Sequence, residues 1–359
     1  MAKIDVRKGM PDVSLTKDEF AARFREQFHD PGFEGAAAEI ERIVDVAWTS
    51  YAEYHKNPRM APAGPDFSKP DARLPVEWLA ARRNIMEAER RQKSANSPSR
   101  ILLINGSMRS DQTCPGEMSK SWRLMMLAKE IVDAEEGFEV EVLDLSRLAS
   151  EYGRLIHPCK SCVSTAMPLC HWPCSCYPNF AMGQVNDWMA EIYPMWVSAH
   201  GVMIVTPVNW YQAPSGLKAM IDRLVCADGG NPDPTSTDGK DPSKAKELEL
   251  RGWPYPRHLA GRVFSLVVHG DAAGTETLRR ILSDWLTDMG LIPSGKHGLL
   301  DAYIGYMGSY AESHRALDAD EAVQVETRNA VRALVSAVRL LRAGRLPRPD
   351  EAIREPRPK

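Results

Sequence analysis

The sequence predicts an α/β fold, a doubly wound parallel sheet of five strands preceded by a helical extension. Three observations carry that prediction. From residue 100 onward, short β-rich runs alternate with helical patterns, as in a parallel sheet wrapped on both faces. Before residue 98, apolar residues recur at helical spacing. At about 150 residues per domain, 359 residues make one core with a sizeable appendage. The composition is ordinary for a globular chain, 43% apolar and 26% charged with a net charge of -3. That balance argues against polyanion binding and against a highly acidic carrier surface.

In the extension, residues 1–98, SLTKDEF offers Ser14 as a helix N-cap with Asp18 near the first turn, and AAAEIERIVDVAWTSYAEY keeps the helical period. Residues 57–75 hold five prolines and Gly64, a crossing between helices; VEWLAARRNIMEAERRQK then resumes the period up to an NSPS linker at 96–99. No chemistry is visible here, and the segment reads as a packing or oligomerisation arm. In the main domain, residues 99–343, the expected strands are 101–105 (ILLIN), 139–143 (EVEVL), 202–206 (VMIVT), 263–269 (VFSLVVH) and a fifth near 296–300. Helices are expected at 119–133, 186–198, 215–225, 275–289 and 320–342. Two stretches exceed what a minimal α/β unit needs, a cysteine-bearing loop at 151–183 and an insertion at 226–258, and such long loops are commonly functional. From Arg339 on, seven basic and three acidic residues with four prolines read as a solvated end, with 344–359 a flexible tail rather than a nucleic-acid arm.

The N-terminus has no apolar h-region, and no apolar stretch reaches about 18 residues. The expectation is a soluble cytoplasmic chain with neither membrane nor nucleic acid as partner. In a reducing compartment, clustered cysteines are more often metal or cluster ligands or redox thiols than disulfides.

Three loops follow strands at one sheet edge, where open parallel sheets bind ligands. The first strand runs into Gly106-Ser107-Met108-Arg109-Ser110, and a helix opens near Ser119-Lys120-Ser121. Hydroxyls, backbone N–H groups and cations there suit a phosphate. Neither G-x-x-x-x-G-K-[ST] nor G-x-G-x-x-G is present, so a triphosphate loop and a dinucleotide fingerprint are unsupported. After the third strand, Pro207-Val208-Asn209-Trp210-Tyr211 offers flat surface and backbone donors to a planar ring. After the fourth, His269-Gly270-Asp271 begins a small-residue turn with exposed donors. Together they describe a site for a mononucleotide with a planar head. Each segment also has a plainer reading, as a capped βα turn, a pair of core aromatics or a structural imidazole.

With these motifs in view, residues 100–300 resemble the flavodoxin-like NADPH-dependent FMN reductase family: GSMR with SKS, TPVNWYQAPSGLKAMIDR and HGDAAG are the matching segments. The resemblance implies a flavodoxin-like sheet of order 2-1-3-4-5 and bound FMN. Carried over by position, Ser107, Arg109, Ser119, Lys120 and Ser121 hold phosphate, while Pro207, Val208, Asn209, Trp210, Tyr211, His269, Gly270 and Asp271 line the ring. The inserted SDQTCPGEM between Arg109 and Ser119 departs from the family's compact loop. Flavin enzymes need no catalytic side chain, because the cofactor carries hydride and electrons. The resemblance further implies NAD(P)H as co-substrate, a small acceptor such as a quinone or flavin, and a homo-oligomer, dimer or tetramer.

Seven cysteines are present, and Cys159, Cys162, Cys170, Cys174 and Cys176 fall within eighteen consecutive residues. Three readings stay open. Four thiolates can hold a [4Fe–4S] cluster, and the loop's place after the second strand resembles iron–sulfur flavoproteins, although Thr165 stands where their third cysteine would be. C-x-x-C with His157 or His171 can make a zinc site, but the paired knuckle of zinc ribbons is missing. The third reading is thiols without metal, inert or redox-active. Cys114 and Cys226 read as packing residues. Two function classes result: an FMN-dependent NAD(P)H oxidoreductase, and alternatively an iron–sulfur flavoprotein carrying electrons between proteins. An empty-site sensor or scaffold is the non-catalytic third.

Overall fold

A computed structural model describes residues 6–224, 229–305 and 308–347; Cys226 and residues 348–359 of the expected tail lie outside them. The chain divides into two compact units, which cut across chain order. One gathers Met1–Arg83, His157–Ala190 and Gly229–Pro256; the other gathers Asn84–Ile156, Glu191–Asp228 and Arg257–Lys359. Segments read from the sequence as an arm, a loop and an insertion are therefore largely pooled in the first unit.

The second unit is built on the expected sheet. Its strands are β1 (Ser99–Asn105), β2 (Phe138–Asp144), β3 (Gly201–Pro207), β4 (Val263–Gly270) and β5 (Leu299–Tyr303). All pair in parallel in the order 2-1-3-4-5, and a two-residue strand, Ile292–Pro293, takes the first positions along β4 before β5 continues beside it. This is a flavodoxin-like topology. Its helices are α1 (Lys120–Asp133), α2 (Met189–Ser198), α3 (Ser215–Arg223), α4 (Thr275–Asp288) and α5 (Glu321–Arg342). The inner strands are apolar throughout because both faces are covered. Ile101, Leu103, Met203 and Val205 pack with Leu124, Met125 and Val132 of α1 and Val331, Leu334 and Val335 of α5. The alternate residues Leu102, Ile104, Val202, Ile204 and Leu266 are equally buried. Beyond that second face α2 joins α3 through Tyr193 Oη donating to Arg223 O at 2.9 Å, and joins α4 through Trp196 against Trp285. Edge strand β2 instead alternates half-buried and exposed positions over Phe138–Val142, which places Glu139 and Glu141 outward.

Three boundaries differ from expectation. The fifth strand lies at Leu299–Tyr303, since Lys296–Gly298 forms a 3₁₀ turn and pairing with Leu266–Gly270 begins only at Leu299. Helix α2 begins at Met189 and not near 186, where Asn186 has φ 57°. Thr16, not Ser14, caps the first helix, Lys17–Arg25: its hydroxyl accepts from Glu19 N while Glu19 accepts from Thr16 N, a reciprocal capping box.

In the first unit, Phe20, Phe24, Trp48 and Tyr51 join the helices Lys17–Arg25 and Ala37–Ala52, and Phe67 and Trp78 pack beside the antiparallel pair Met60–Pro62 and Arg73–Pro75. These elements hold the cysteine loop. Trp78 Nε1 donates to Pro173 O at 2.8 Å, and Lys56 Nζ donates to Ser175 O at 2.8 Å. The later segment adds a helix, Pro242–Leu250, capped by Asp241. Among the described residues no helix is long and apolar enough to cross a membrane.

Candidate functional site

The carboxyl ends of β1, β3 and β4 open on one cavity of about 650 Å³. It lies wholly within the sheet unit. Asn105 and Ser107 shape its first wall. Asn105 Nδ2 donates to Asp144 Oδ1 at 2.7 Å, its Oδ1 accepts from Ser107 N, and Ser107 Oγ accepts from Arg109 N at 3.1 Å. Gly106 lets this loop lie against β3, since a Cβ there would stand 2.6 Å from Thr206 Oγ1.

Ser119, Lys120 and Ser121 follow at the start of α1. The Ser119 hydroxyl is the N-cap, accepting from Trp122 N at 3.1 Å. Ser121 Oγ is 2.8 Å from His269 Nε2, both buried. Burial first, and Lys120 second, push the His269 pKa down to about 3, so the imidazole is neutral at pH 7. Lys120 forms a 2.5 Å ion pair with Asp271 and lies over the Tyr310 ring. Arg109 pairs with Glu117 and donates to Tyr310 Oη, while its Nε is buried with no partner.

Of the thirteen residues singled out by sequence, the cavity gathers Ser107, Arg109, Ser119, Lys120, Ser121, Pro207, Val208, Asn209, His269, Gly270 and Asp271. Trp210 and Tyr211 do not line it. They form the tip of the next turn, where Asn209 and Gln212 exchange N–H···O bonds of 2.9 and 3.0 Å. Both have positive φ, 49° and 65°, as the centre of a type I′ turn requires. Trp210 is 95% exposed and Tyr211 59%, so the core-aromatic reading is excluded. Residues not foreseen also line the cavity, Tyr310 and His314 from the connection after β5 and Cys114 from the inserted loop. Cys114 is exposed there rather than packed. The available signal for Tyr310 and His314 was topological: in a parallel sheet the loop after the fifth strand opens on the same edge as the other three.

The cysteine loop belongs to the first unit. Cys162 Sγ lies 3.6 Å from Cys176 Sγ. Lys240 Nζ donates to Cys162 Sγ at 3.3 Å, to Cys176 Sγ at 3.5 Å and to Leu169 O at 3.1 Å. The hydrogen bond from Cys176, together with the Lys240 ammonium, lowers the Cys162 pKa to about 6. Desolvation opposes the Lys240 charge, but Cys176, Cys162, Cys174 and Cys170 outweigh it and raise its pKa. His171 is buried and held neutral, its pKa pushed down to about 3 by burial, with Nδ1 2.5 Å from Ser175 Oγ. Among the described residues no three His, Cys, Asp or Glu side chains are arranged to hold a metal ion.

Residues 99–300, more than half the chain, match the family model described as NADPH-dependent FMN reductase. No curated protein matches. Among solved structures the chain is similar to RosB with a bound 8-demethyl-8-formylriboflavin-5'-phosphate intermediate, at 15% identity over 69% of this chain and 81% of that one, TM-score 0.46. It is also similar to an apo NADH:FMN oxidoreductase, EmoB, at 14% identity over 66% and 89%, TM-score 0.38. A third is an NAD(P)H:quinone oxidoreductase from Methanothermobacter marburgensis, at 17% identity over 66% and 96%, TM-score 0.37.

Proposed function

The chain belongs to the NADPH-dependent FMN reductase family, and from that premise we propose that it binds FMN in the 650 Å³ cavity and passes electrons from NAD(P)H to a small planar acceptor such as a quinone or free flavin. The cavity's size falls within the roughly 300–1,000 Å³ of cofactor sites. Its donor set fits a phosphorylated ring at both ends. The observation that carries the reading is Arg109 Nε, a buried cationic N–H left without a partner while Glu117 takes a terminal nitrogen, on the cavity wall beside the N-terminus of α1, where an anion is favoured. Pro207–Asn209 and His269–Asp271 supply the ring-facing walls, and the exposed Trp210–Tyr211 tip offers a flat surface to the nicotinamide or acceptor.

When bound, FMN supplies the hydride and electron transfer. The chain's own groups bind and orient. Ser119 holds the start of α1 in place. His269, kept neutral by burial, lies 2.8 Å from Ser121 Oγ and fixes that serine. The proposal includes a homo-oligomer, to be read by light scattering. The test of function is fluorescence titration of flavin-free protein with FMN, followed by anaerobic mixing with NADPH and NADH. Tight binding and bleaching of the flavin by at least one nicotinamide are expected; bleaching by neither removes the enzyme reading.

The iron–sulfur alternative finds less support. A cubane cluster holds its thiolates apart by its own width, whereas Cys162 and Cys176 are in contact and already share an ammonium. A tetrahedral zinc would need further ligands beside Cys162 and Cys176, and among the described residues no three His, Cys, Asp or Glu side chains are arranged to hold a metal ion. Neither group fits the set as folded, and no step is assigned to one.

A further inference from the structure

We propose that Cys162 and Cys176, with Lys240 as their built-in cation, form a redox dithiol that exchanges with low-molecular-weight disulfides. All three residues belong to the first unit, apart from the cavity of the sheet unit.

Three features carry it. First, the two sulfurs are unbridged and 3.6 Å apart, so closing to a disulfide length of about 2.05 Å needs a small displacement. Second, all three donors of the Lys240 ammonium are spent on Cys162, Cys176 and the Leu169 carbonyl, and no carboxylate pairs with it among the described residues. An ammonium without a carboxylate favours an anionic partner, and the sulfurs it touches are those of Cys162 and Cys176. Third, the thiols differ in access. Cys162 is half-buried, at the start of a 3₁₀ turn that follows the left-handed Ser161, whereas Cys176 is 5% exposed. One sulfur is placed to attack and the other to resolve. Cys162 and Cys176 come from one loop and Lys240 from a segment 64 positions beyond Cys176. Trp78 and Lys56 anchor the Cys176 stretch through Pro173 and Ser175, and Lys240 precedes the capped helix Pro242–Leu250.

In the exchange, the Cys162 thiolate attacks one sulfur of a disulfide RSSR and expels RS⁻, leaving a mixed disulfide. Cys176 then loses its proton to solvent and attacks Cys162 Sγ, which expels the second RS⁻ and forms the Cys162–Cys176 bond. Two protein thiols are oxidised to one disulfide, one external disulfide is reduced to two thiols, and the released protons end on the expelled thiolates. Lys240 orients both sulfurs and favours the attacking thiolate.

The test uses full-length protein purified without oxygen, assayed first for iron, zinc and acid-labile sulfide. It is then incubated with oxidised glutathione, alkylated and mapped by peptide mass spectrometry. The expected product is the Cys162–Cys176 disulfide, and Cys176→Ser should stop at a glutathione adduct on Cys162. Lys240→Met should slow alkylation of Cys162 at neutral pH by about threefold or more, because its thiolate fraction falls by more than its nucleophilicity rises. Lys240→Arg, which keeps the cation, should stay near wild type and controls for misfolding. Stoichiometric iron and sulfide, or zinc, released together with these thiols would overturn the proposal. So would a disulfide mapped to a different pair, or no reaction at Cys162.

Discussion

Arg109 holds Glu117 and Tyr310 with its terminal nitrogens while its buried Nε has no partner, so the side chain is fixed in place with one donor still to satisfy. A charged hydrogen bond of this kind contributes about 1.5–3 kcal/mol. Arg109→Ala is therefore expected to weaken FMN binding by roughly 10- to 100-fold in a fluorescence titration. Glu117→Gln should tighten it, because the carboxylate competes with phosphate for the same guanidinium. Ser119 separates two roles that the sequence left merged. Its hydroxyl is committed to Trp122 N, so Ser119→Ala should cost about 1 kcal/mol of stability in urea melts. FMN affinity should stay within about threefold, less than one charged hydrogen bond; a loss like that of Arg109→Ala would return Ser119 to the phosphate site.

At the scale of elements, the Asn209–Gln212 turn stands out because both central residues are bulky aromatics at positive φ. Such a conformation costs roughly 1–2 kcal/mol per residue relative to glycine, and strain of this kind persists where it positions groups for use. Trp210→Gly should raise the melting temperature or leave it unchanged, while increasing the KM for a quinone acceptor in steady-state assays. A fall in stability with unaltered kinetics would make the turn merely structural. The strands and helices around it were legible because ILLIN, VMIVT and VFSLVVH are unbroken apolar runs and the helices carry an amphipathic period. The register of the fifth strand was not. No local signal in KHGLL announces that Lys296–Gly298 turns and that pairing with β4 begins at Leu299.

For the molecule as a whole, three buried histidines set a pH limit. His171 and His269 have pKa values pushed down to about 3 and His200 to about 4, in each case chiefly by burial. His200 shows the geometry most directly: Nδ1 accepts from Arg100 N at 3.0 Å, which leaves Nε2–H to donate to Gln92 O at 2.9 Å. A second proton would set donor against donor. Because these values lie below the ordinary 6.5, the unfolded chain takes up protons first as pH falls. The stabilisation is complete above about pH 6.5 and is lost as pH falls from there toward 4 and 3. Thermal midpoints should drop steadily between pH 7 and 4.5. His200→Gln, whose amide can reproduce both hydrogen bonds, should flatten that slope; an unchanged slope would move the acid sensitivity elsewhere.

The sequence by itself determined the sheet, its flanking helices and the turn after β1 that lines the cavity, because β-rich and helical patterns and βα-turn residues act over a few positions. The family resemblance supplied the strand order. Tertiary structure alone decided the rest. Tyr310 and His314 reach the cavity because parallel strands deliver all their carboxyl-end loops to one edge. The 1–98 segment, which showed no chemistry when read alone, supplies Lys56 and Trp78 to brace the cysteine loop. The five clustered cysteines left cluster, zinc and thiols open as a pattern of spacings, with the cluster foremost. The fold adds to them Lys240, a residue 64 positions from Cys176, whose ammonium donates to Cys162 Sγ and Cys176 Sγ where no local pattern could announce it.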